Sequence, residues 1–302
     1  MLSNYIKILR FDHWIKQIFV IPGFLYALFV IDFNFDYDFN FYLKIIISLL
    51  LISMASSANY VINEFIDGPN DRFHPLKKSR PAARKLLKLK YVLYLYVFLI
   101  LTTFTMSYYF FGKFYFYIIL VFIIMGIFYN VRPFRTKDLK YFDIITESIN
   151  NPIRFFLGYF TLENNFHFFS PPNIKILLFY FTFGCFLMTC KRLSEKRYFG
   201  NLKNIAKYRI TIAKYSENQL LLQTFFYSII SLLLVSSLLT KLNDNYFLFI
   251  FLLLLTYIEY FNLALNKSYA AQEPENLYKQ FFLMILIILS IGIFYYTTMS
   301  FY

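Results

Sequence analysis

Long apolar runs recur along the whole chain, and they constrain its fold more than any other feature. Runs of about 17 to 25 residues cross the hydrocarbon core of a bilayer as helices, which satisfy their own backbone hydrogen bonds there. With 59% hydrophobic and only 16% charged residues, the chain is unlike an ordinary soluble domain. The predicted spans are residues 17–31, 42–62, 91–111, 114–131, 143–162, 174–190, 216–239, 246–266 and 281–301.

These spans predict an all-α integral membrane protein with about nine transmembrane helices. No soluble domain or strong repeat is visible, so we expect one membrane domain over residues 1–302. Residues 1–16 mix basic and apolar side chains and predict an amphipathic helix at the interface. We expect no cleaved signal peptide, because the first apolar segment lacks a small-residue cleavage site. Cys185 and Cys190 lie within an apolar run and predict two buried thiols.

The basic residues predict the orientation of the chain. Cytoplasmic loops of membrane proteins are enriched in Lys and Arg. With a cytoplasmic N-terminus, the cytoplasmic segments hold 25 of the 30 Lys and Arg residues, and Lys113 is among those left outside. This predicts an inner (plasma) membrane protein, and it accounts for the net charge of +13 without nucleic acid. The cytoplasmic segments are 1–16, 63–90, 132–142, 191–215 and 267–280.

A ladder of oxygen-bearing side chains follows the second span. Asn63, Asp67 and Asp71 are four residues apart, so a continuous helix places them on one face. Gly68 and Pro69 leave a second geometry open, in which the helix ends after Asp67 and Asp71 lies in a loop. Oxygen ligands suit Mg²⁺, which often shares its coordination with substrate phosphates. A solvated acidic turn at a helix end is the alternative.

Basic residues follow the ladder directly. Guanidinium and ammonium groups beside a bound cation form a receptor for a diphosphate, whose negative charge both neutralise. Such a site favours displacement at a carbon that carries a diphosphate leaving group. Each of these basic residues, taken alone, is equally explained by the enrichment of Lys and Arg in cytoplasmic loops. The candidate diphosphate contacts are Arg72, Lys77, Lys78 and Arg80.

Two further sets of polar residues lie on the same predicted side of the membrane, the cytoplasmic side. Ionisable groups within a span are costly and are expected to face a polar cavity or a partner. The alternative for Glu147 and Arg154 is a pairing that only fixes helix packing. A charged span end, as at Lys191, is often only a solvated boundary. The candidate residues are Tyr129, Asn130, Arg132, Arg135, Lys137, Asp138, Asp143, Glu147, Asn150, Asn151 and Arg154 in the first set, and Lys191, Arg192 and Glu195, with Arg209 and Tyr215 further along the chain, in the second.

Together these motifs resemble the UbiA-type intramembrane prenyltransferase superfamily. Asn63-x3-Asp67-x3-Asp71 is similar to its first aspartate motif, and the continuation from Arg72 to Pro81 looks most like the branch that contains decaprenyl-phosphate phosphoribosyltransferase. The resemblance covers nearly the full length. Further matches are Arg10-x3-Trp14-x-Lys16-Gln17, Tyr129 with Lys137 and Asp143, Arg154 with Gly158, Lys191-Arg192-x2-Glu195, and Glu273-Pro274-Glu275.

The resemblance implies a ring of nine helices around a polar chamber. It also implies Mg²⁺-dependent transfer of 5-phosphoribose from phosphoribosyl diphosphate to a polyprenyl phosphate. Asn63, Asp67 and Asp71 hold the metal and diphosphate in that reading, and Tyr129 lines the site. The implied phosphate contacts are Lys77, Arg80, Lys137 and Arg154.

Two departures from the family pattern leave other readings open. Position 64 is Glu where Asp is usual, and Glu147, Asn150 and Asn151 have no counterpart in the phosphoribosyl branch. Those residues suit a second metal or an acceptor contact. A prenyltransferase that moves a polyprenyl group from its diphosphate to an aromatic or other small acceptor, or cyclises it, is therefore the alternative. A lipid or ion transporter is a more remote one.

Overall fold

A computed structural model describes residues 2–30, 37–164, 166, 170–199, 202–239 and 246–299. These residues form helices and turns without a strand, so the all-α prediction is confirmed. Short 3-10 helices span Phe11–Val20, Lys77–Ser79, Thr136–Asp138 and Pro274–Lys279. The α-helices are α1 (Leu2–Lys7), α2 (Ile21–Val30), α3 (Phe39–Asp71), α4 (Leu89–Phe111), α5 (Lys113–Asn130), α6 (Phe142–Ser148), α7 (Asn150–Leu162), α8 (Pro171–Phe199), α9 (Leu202–Tyr208), α10 (Ile210–Lys214), α11 (Glu217–Leu239), α12 (Tyr246–Leu265), α13 (Tyr269–Gln272) and α14 (Phe281–Met299).

Six of the described helices are long and apolar enough to cross a membrane: α3, α4, α5, α8, α11 and α12. Helix α14 contributes a shorter apolar segment, Phe281–Phe294. The multi-pass membrane prediction is thereby supported, while the count of nine stays a prediction. The predicted end of the first span at residue 31 and that of the last at residue 301 lie outside the described residues.

The first and fifth predicted spans contain shorter helices than the apolar pattern indicated. The N-terminal segment breaks at Arg10, whose φ of 55° lies in the left-handed region, so α1 is followed by a 3-10 helix and then α2. The fifth span is two helices that meet at Ile149. Pro152 lies in the first turn of α7 and cannot donate a backbone hydrogen bond to the preceding turn.

The chain divides into two compact units, Met1–Phe166 with Ala206–Thr211, and His167–Ile205 with Ile212–Tyr302. A single membrane domain stays a prediction. In the second unit, α8, α12, α13 and α14 bury a cluster formed by Phe186, Cys190, Tyr257, Tyr260, Ala264, Ala271 and Leu283. Cys185 and Cys190 are both buried free thiols.

Helix α3 is the central element of the first unit. Its 33 residues extend about 50 Å, well beyond the thickness of a hydrocarbon core. Its apolar side chains pack against α4, α5 and α7, and Ser48 bonds the hydroxyls of Tyr115 at 3.0 Å and Thr161 at 2.7 Å. Because its N-terminal turns are fixed in this way, the position of its polar C-terminal turns is determined by the same core.

Glycines allow α2 and α7 to touch backbone to backbone. A Cβ on Gly158 would lie 2.2 Å from the carbonyl oxygen of Val20 and 3.0 Å from the Cα of Gly23. We expect Gly158→Ala to destabilise the protein by about 1 to 3 kcal/mol, because the helices must move apart. Thermal unfolding in detergent measures this. Gly292→Ala is the matched control, since its Cβ meets nothing within 4 Å, and an equal loss in both variants would contradict the argument.

Candidate active site

The oxygen ladder lies on the last two turns of α3. The helix is continuous through Asp71, so the geometry in which it ends after Asp67 does not occur. Pro69 lies inside the last turn of the helix, where it removes the hydrogen bond that a backbone amide would donate to the carbonyl of Phe65. Asp71 is buried, whereas the Asp67 side chain is 23% exposed. Asn63, Asp67 and Asp71 therefore share one face, with Asp67 accessible between the other two.

Lys137 reaches the ladder from the turn Thr136–Asp138. Its Nζ lies 2.6 Å from Asp67 Oδ1 and donates to Asn63 Oδ1 at 3.0 Å and Asn130 Oδ1 at 2.9 Å. Burial lowers the pKa of Lys137 to about 8, although the Asp67 carboxylate favours its charged form. Three oxygen atoms from two elements thus surround one buried ammonium group.

Arg135 is a second cation on Asp67. It belongs to the predicted polar set, but sequence reasoning assigned it no role in metal or substrate binding. Its guanidinium donates to Asp67 Oδ1 at 3.0 Å, to Asp138 Oδ2 at 2.6 Å and to the Asn130 carbonyl at 3.2 Å. The Arg135 backbone has a φ of 33°, which is strained for a residue with a side chain. Its place two residues before Lys137 was the available sequence signal. Asn130, which accepts hydrogen bonds from both cations, was likewise in that polar set without an assigned role.

The segment that follows α3 folds back over the end of the helix. Arg80 donates to Asp71 Oδ2 at 2.9 Å, and Lys77 acts on the same carboxylate electrostatically. A Cβ on Gly68 would lie 2.8 Å from the Ala82 carbonyl oxygen, so glycine allows this close approach. The structure therefore places Lys77 and Arg80 beside Asp71 of the oxygen ladder, in the segment from which the sequence selected them.

Residues 206–211 complete this site within the first unit. Lys77 donates to the Tyr208 hydroxyl, and the His74 ring meets that of Tyr208 at 4.7 Å. Arg209 donates to the hydroxyl of the buried Tyr129 and acts electrostatically on both Asp67 and Lys137. Sequence reasoning named Tyr129 and Arg209 in two separate polar sets and did not name Tyr208. It could not predict these contacts, because partners about 80 residues apart or more have no local signal.

Other predicted substrate residues have different surroundings. The Nε of Arg72 donates to the Ala83 carbonyl at 3.0 Å, and Lys78 is exposed. The Nε of Arg154 donates to Gln17 Oε1 at 3.4 Å, which is a contact with a neighbouring segment, one of the pairings that the packing alternative allowed. Asp143 is fully buried, Glu147 and Asn151 are half-buried, and Lys191 is half-buried on α8 of the second unit.

The site is rich in positive charge. Lys137, Arg135 and Arg209 act on Asp67, while Arg80 and Lys77 act on Asp71. Asp138 and the buried Glu64 carry the remaining negative charge nearby. These five cations beside four carboxylates leave a surplus of positive charge, which a phosphorylated ligand can neutralise.

The donor set fits a divalent cation. Lys137 Nζ already lies among oxygen atoms of Asn63, Asp67 and Asn130, so this side of α3 accommodates a positive group. Within the described part of the chain, no three His, Cys, Asp or Glu side chains gather as a complete metal centre. Two carboxylates and neutral amides would leave coordination positions for phosphate oxygens, as is usual for Mg²⁺.

The fold of this chain is similar to that of solved structures. The chain superposes on a UbiA homolog from Archaeoglobus fulgidus bound to GPP and Mg²⁺, with a TM-score of 0.71 and 16% identity over 98% of this chain and 99% of that one. The same homolog bound to DMAPP and Mg²⁺ gives 0.71 and 16% identity over 97% of each chain. A further structure of that homolog gives 0.65 and 16% over 97% and 98%. No curated protein matches the sequence.

The family follows from the sequence itself. The profile of the UbiA prenyltransferase family matches residues 19–294, which is most of the chain. The predicted superfamily is therefore confirmed, together with a UbiA-like fold and a transferase as the class of protein. The chain belongs to the UbiA prenyltransferase family.

Proposed function

We propose that this protein transfers 5-phosphoribose from phosphoribosyl diphosphate to a polyprenyl phosphate in a Mg²⁺-dependent reaction. Asn63, Asp67 and Asp71 would hold the metal, whose chemistry is to neutralise charge on the leaving diphosphate. The solved homolog is bound to Mg²⁺ together with GPP or DMAPP, which supports Mg²⁺ as the cation here.

The observation that carries the proposal is the set of cations on the two carboxylates. Lys77 and Arg80 act on Asp71, and Lys137, Arg135 and Arg209 act on Asp67. Placed on both sides of the ladder, they can bind the diphosphate and the ribose 5-phosphate of one donor. The donor carries phosphate groups at two ends, which is why a basic extension beyond Asp71 favours a phosphorylated sugar.

The reaction is a displacement at the anomeric carbon. An oxygen of the lipid phosphate forms a bond to C1, and the bond from C1 to the diphosphate oxygen breaks with its electron pair leaving on the diphosphate. The acceptor is already an anion, so no general base is required. The protein contributes alignment of the two substrates and stabilisation of the leaving group.

A prenyltransferase reaction is the second candidate, in which a prenyl diphosphate ionises and alkylates a small acceptor. The ligands of the solved homolog, GPP and DMAPP, favour it. That chemistry calls for a second acidic site, for which the sequence offered Asp138, Asp143 and Glu147. Asp138 bonds Arg135 at 2.6 Å, an ion pair like those of Asp67 and Asp71, so this contact does not separate the two reactions.

One assay separates the two reactions. Purified protein with Mg²⁺ receives either labelled phosphoribosyl diphosphate with polyprenyl phosphate, or polyprenyl diphosphate with an aromatic acid. We expect label in the lipid fraction only for the first pair, and loss of that product when EDTA removes the metal. A prenylated aromatic product with no phosphoribosylated lipid would overturn the proposal in favour of the second candidate.

We also propose that the active site faces the cytoplasm from the inner (plasma) membrane. Lys78 and Lys113 are both exposed but fall on opposite predicted sides. We expect Lys78→Cys to react with an impermeant maleimide only in inverted vesicles, and Lys113→Cys only in intact cells. The native thiols are buried and give little background. Labelling of Lys78→Cys in intact cells would show that the proposed orientation is wrong and that this segment faces outward.

A further inference from the structure

A second set of residues spaced by four follows α3 beside the oxygen ladder. Glu64, Gly68 and Arg72 each come one position after a ladder residue, so their face is turned by about 100° around the helix from that of the ladder. Arg72 directly follows α3 and keeps helical backbone angles, with a φ of −60° and a ψ of −29°. We call Glu64, Gly68 and Arg72 the anchoring face.

All three residues of the anchoring face contact the same two alanines. The Glu64 carboxylate accepts a hydrogen bond from the backbone amide of Ala82, and a Cβ on Gly68 would lie 2.8 Å from the Ala82 carbonyl oxygen. The Nε of Arg72 donates to the Ala83 carbonyl at 3.0 Å, and Ala83 is buried. Successive turns at the end of one helix thus hold a single short piece of the segment that folds back over it.

The anchored alanines come directly after Pro81, next to the cations of the basic segment. Arg80 donates to Asp71 Oδ2 at 2.9 Å and acts electrostatically on Glu64 as well. The Arg80 amide donates in turn to the Lys77 carbonyl at 3.0 Å. Because so short a bonded turn leaves few free backbone angles, the place at which the alanines are held determines how Arg80 and Lys77 approach Asp71.

Stability alone does not explain a glutamate at position 64. The Glu64 side chain is buried, and within the described part of the chain its Oε1 has no hydrogen-bond partner. A buried carboxylate with an unsatisfied oxygen costs free energy of folding, which an apolar side chain of similar size would not. What the carboxylate positions is therefore a better explanation for it than the stability of α3.

We propose that Glu64 is a positioning residue, which holds Ala82 against α3 so that Arg80 and Lys77 face the phosphate groups of the donor. In this role Glu64 touches neither the substrate nor the metal and acts through the Ala82 amide. Arg72 moves by the same argument from the candidate phosphate contacts to the anchoring face. The identity of the donor rests on the proposed function, whereas the anchoring of the segment does not.

Steady-state kinetics with phosphoribosyl diphosphate separate a positioning role from a direct one. We expect Glu64→Ala to raise the KM for this donor about tenfold, the effect of losing one hydrogen bond to a charged group, with little change in kcat. Glu64→Gln keeps an oxygen that can accept from the Ala82 amide, so we expect it to restore the KM to near the wild-type value. Equal defects in Glu64→Gln and Glu64→Ala would overturn the proposal, because they would show that the charge of Glu64 acts on the metal or the substrate directly.

Gly68→Ala tests the same anchor without changing any charge. Its Cβ would meet the Ala82 carbonyl oxygen, so the segment must move away from α3, and we expect the KM for the donor to rise as in Glu64→Ala. Arg84→Met is the matched control, because Arg84 is an exposed cation close to the anchored alanines, and we expect its KM to be normal. A normal KM in Gly68→Ala, or a raised KM in Arg84→Met, would contradict positioning through Ala82.

Limited trypsin digestion of purified protein in detergent measures the anchoring without any reaction. Lys78 is exposed in the same segment, and the rate of cleavage after it follows the fraction of molecules in which the segment has left α3. We expect Glu64→Ala and Gly68→Ala to be cleaved after Lys78 about tenfold faster than the wild type, and Glu64→Gln and Arg84→Met at the wild-type rate. Equal cleavage of all four variants would refute the anchoring.

The outcome is separable from that of the proposed function. Faster cleavage of Glu64→Ala, in a protein that transfers no phosphoribose, would retain the anchoring and refute the reaction. Phosphoribosyl transfer with an unchanged KM for the donor in Glu64→Ala would retain the reaction and refute the positioning role.

Discussion

Replacing Asp67 by Asn is expected to lower kcat for transfer by a factor of about 10² to 10³ or more, because it removes the charge on which the proposed metal and its neighbouring cations depend. Asp67 is the acceptor for Lys137 at 2.6 Å and for Arg135 at 3.0 Å. Asparagine keeps the size of the side chain but cannot balance either cation. The measurement is steady-state transfer by purified protein at saturating Mg²⁺.

Asp38→Asn is the matched control for this variant. Asp38 caps the other end of the same helix by accepting from the Phe41 amide at 2.8 Å, and asparagine is an equally good cap. We expect its activity to stay within twofold of the wild type. Full activity in Asp67→Asn would show that the oxygen ladder is not the reacting site. A comparable loss in both variants would mean that the effect comes from the folding of α3.

Removing the buried ammonium of Lys137 is expected to destabilise the fold as well as the reaction. In Lys137→Met the Asp67 carboxylate keeps Arg135 but loses its shortest contact, and breaking a buried pair from one side costs about 3 kcal/mol at the lower end. Adding Asp67→Asn removes the uncompensated charge. We therefore expect the double variant to recover part of the lost stability in thermal unfolding, while its transfer activity stays low.

A double-mutant cycle measures the interaction energy between Lys137 and Asp67. Interaction energies between contacting residues are about 0.5 to 3 kcal/mol, and we expect a value near the upper end for Lys137 with Asp67. Lys140→Met is the control from the same loop, and its ammonium lies over the Tyr141 ring at 5.1 Å. Additive losses from Lys137→Met and Asp67→Asn would contradict the direct contact.

Much of the architecture could be predicted from local patterns. The spacing of Asn63, Asp67 and Asp71 indicated one helical face, and α3 is continuous through all three. The same reasoning placed Tyr129, Lys137, Lys77 and Arg80 with the ladder. It overestimated the lengths of the first and fifth helices. Apolar composition does not reveal a residue whose backbone is in the left-handed region, such as Arg10.

Contacts between distant segments could not be predicted in the same way. Arg209 donates to Tyr129 across about 80 residues of chain, and Arg154 meets Gln17 rather than a neighbour on its own helix. The predicted cytoplasmic loops all contain Lys and Arg, which the orientation signal by itself explains. Basic composition alone therefore does not distinguish a cation that faces a carboxylate from one that faces water.

By itself the sequence determined the class of the protein. Apolar runs of membrane-spanning length form helices, because the bilayer offers the backbone no other hydrogen-bond partner. A spacing of four residues places side chains on one face wherever a helix forms. Only the tertiary structure decided which cations meet the ladder. That choice depends on close backbone approaches, such as that of Ala82 at Gly68, and on the left-handed Arg135 that turns Lys137 toward Asp67. The contact of Lys137 with Asp67 joins residues 70 positions apart in the chain, so no local pattern specifies it.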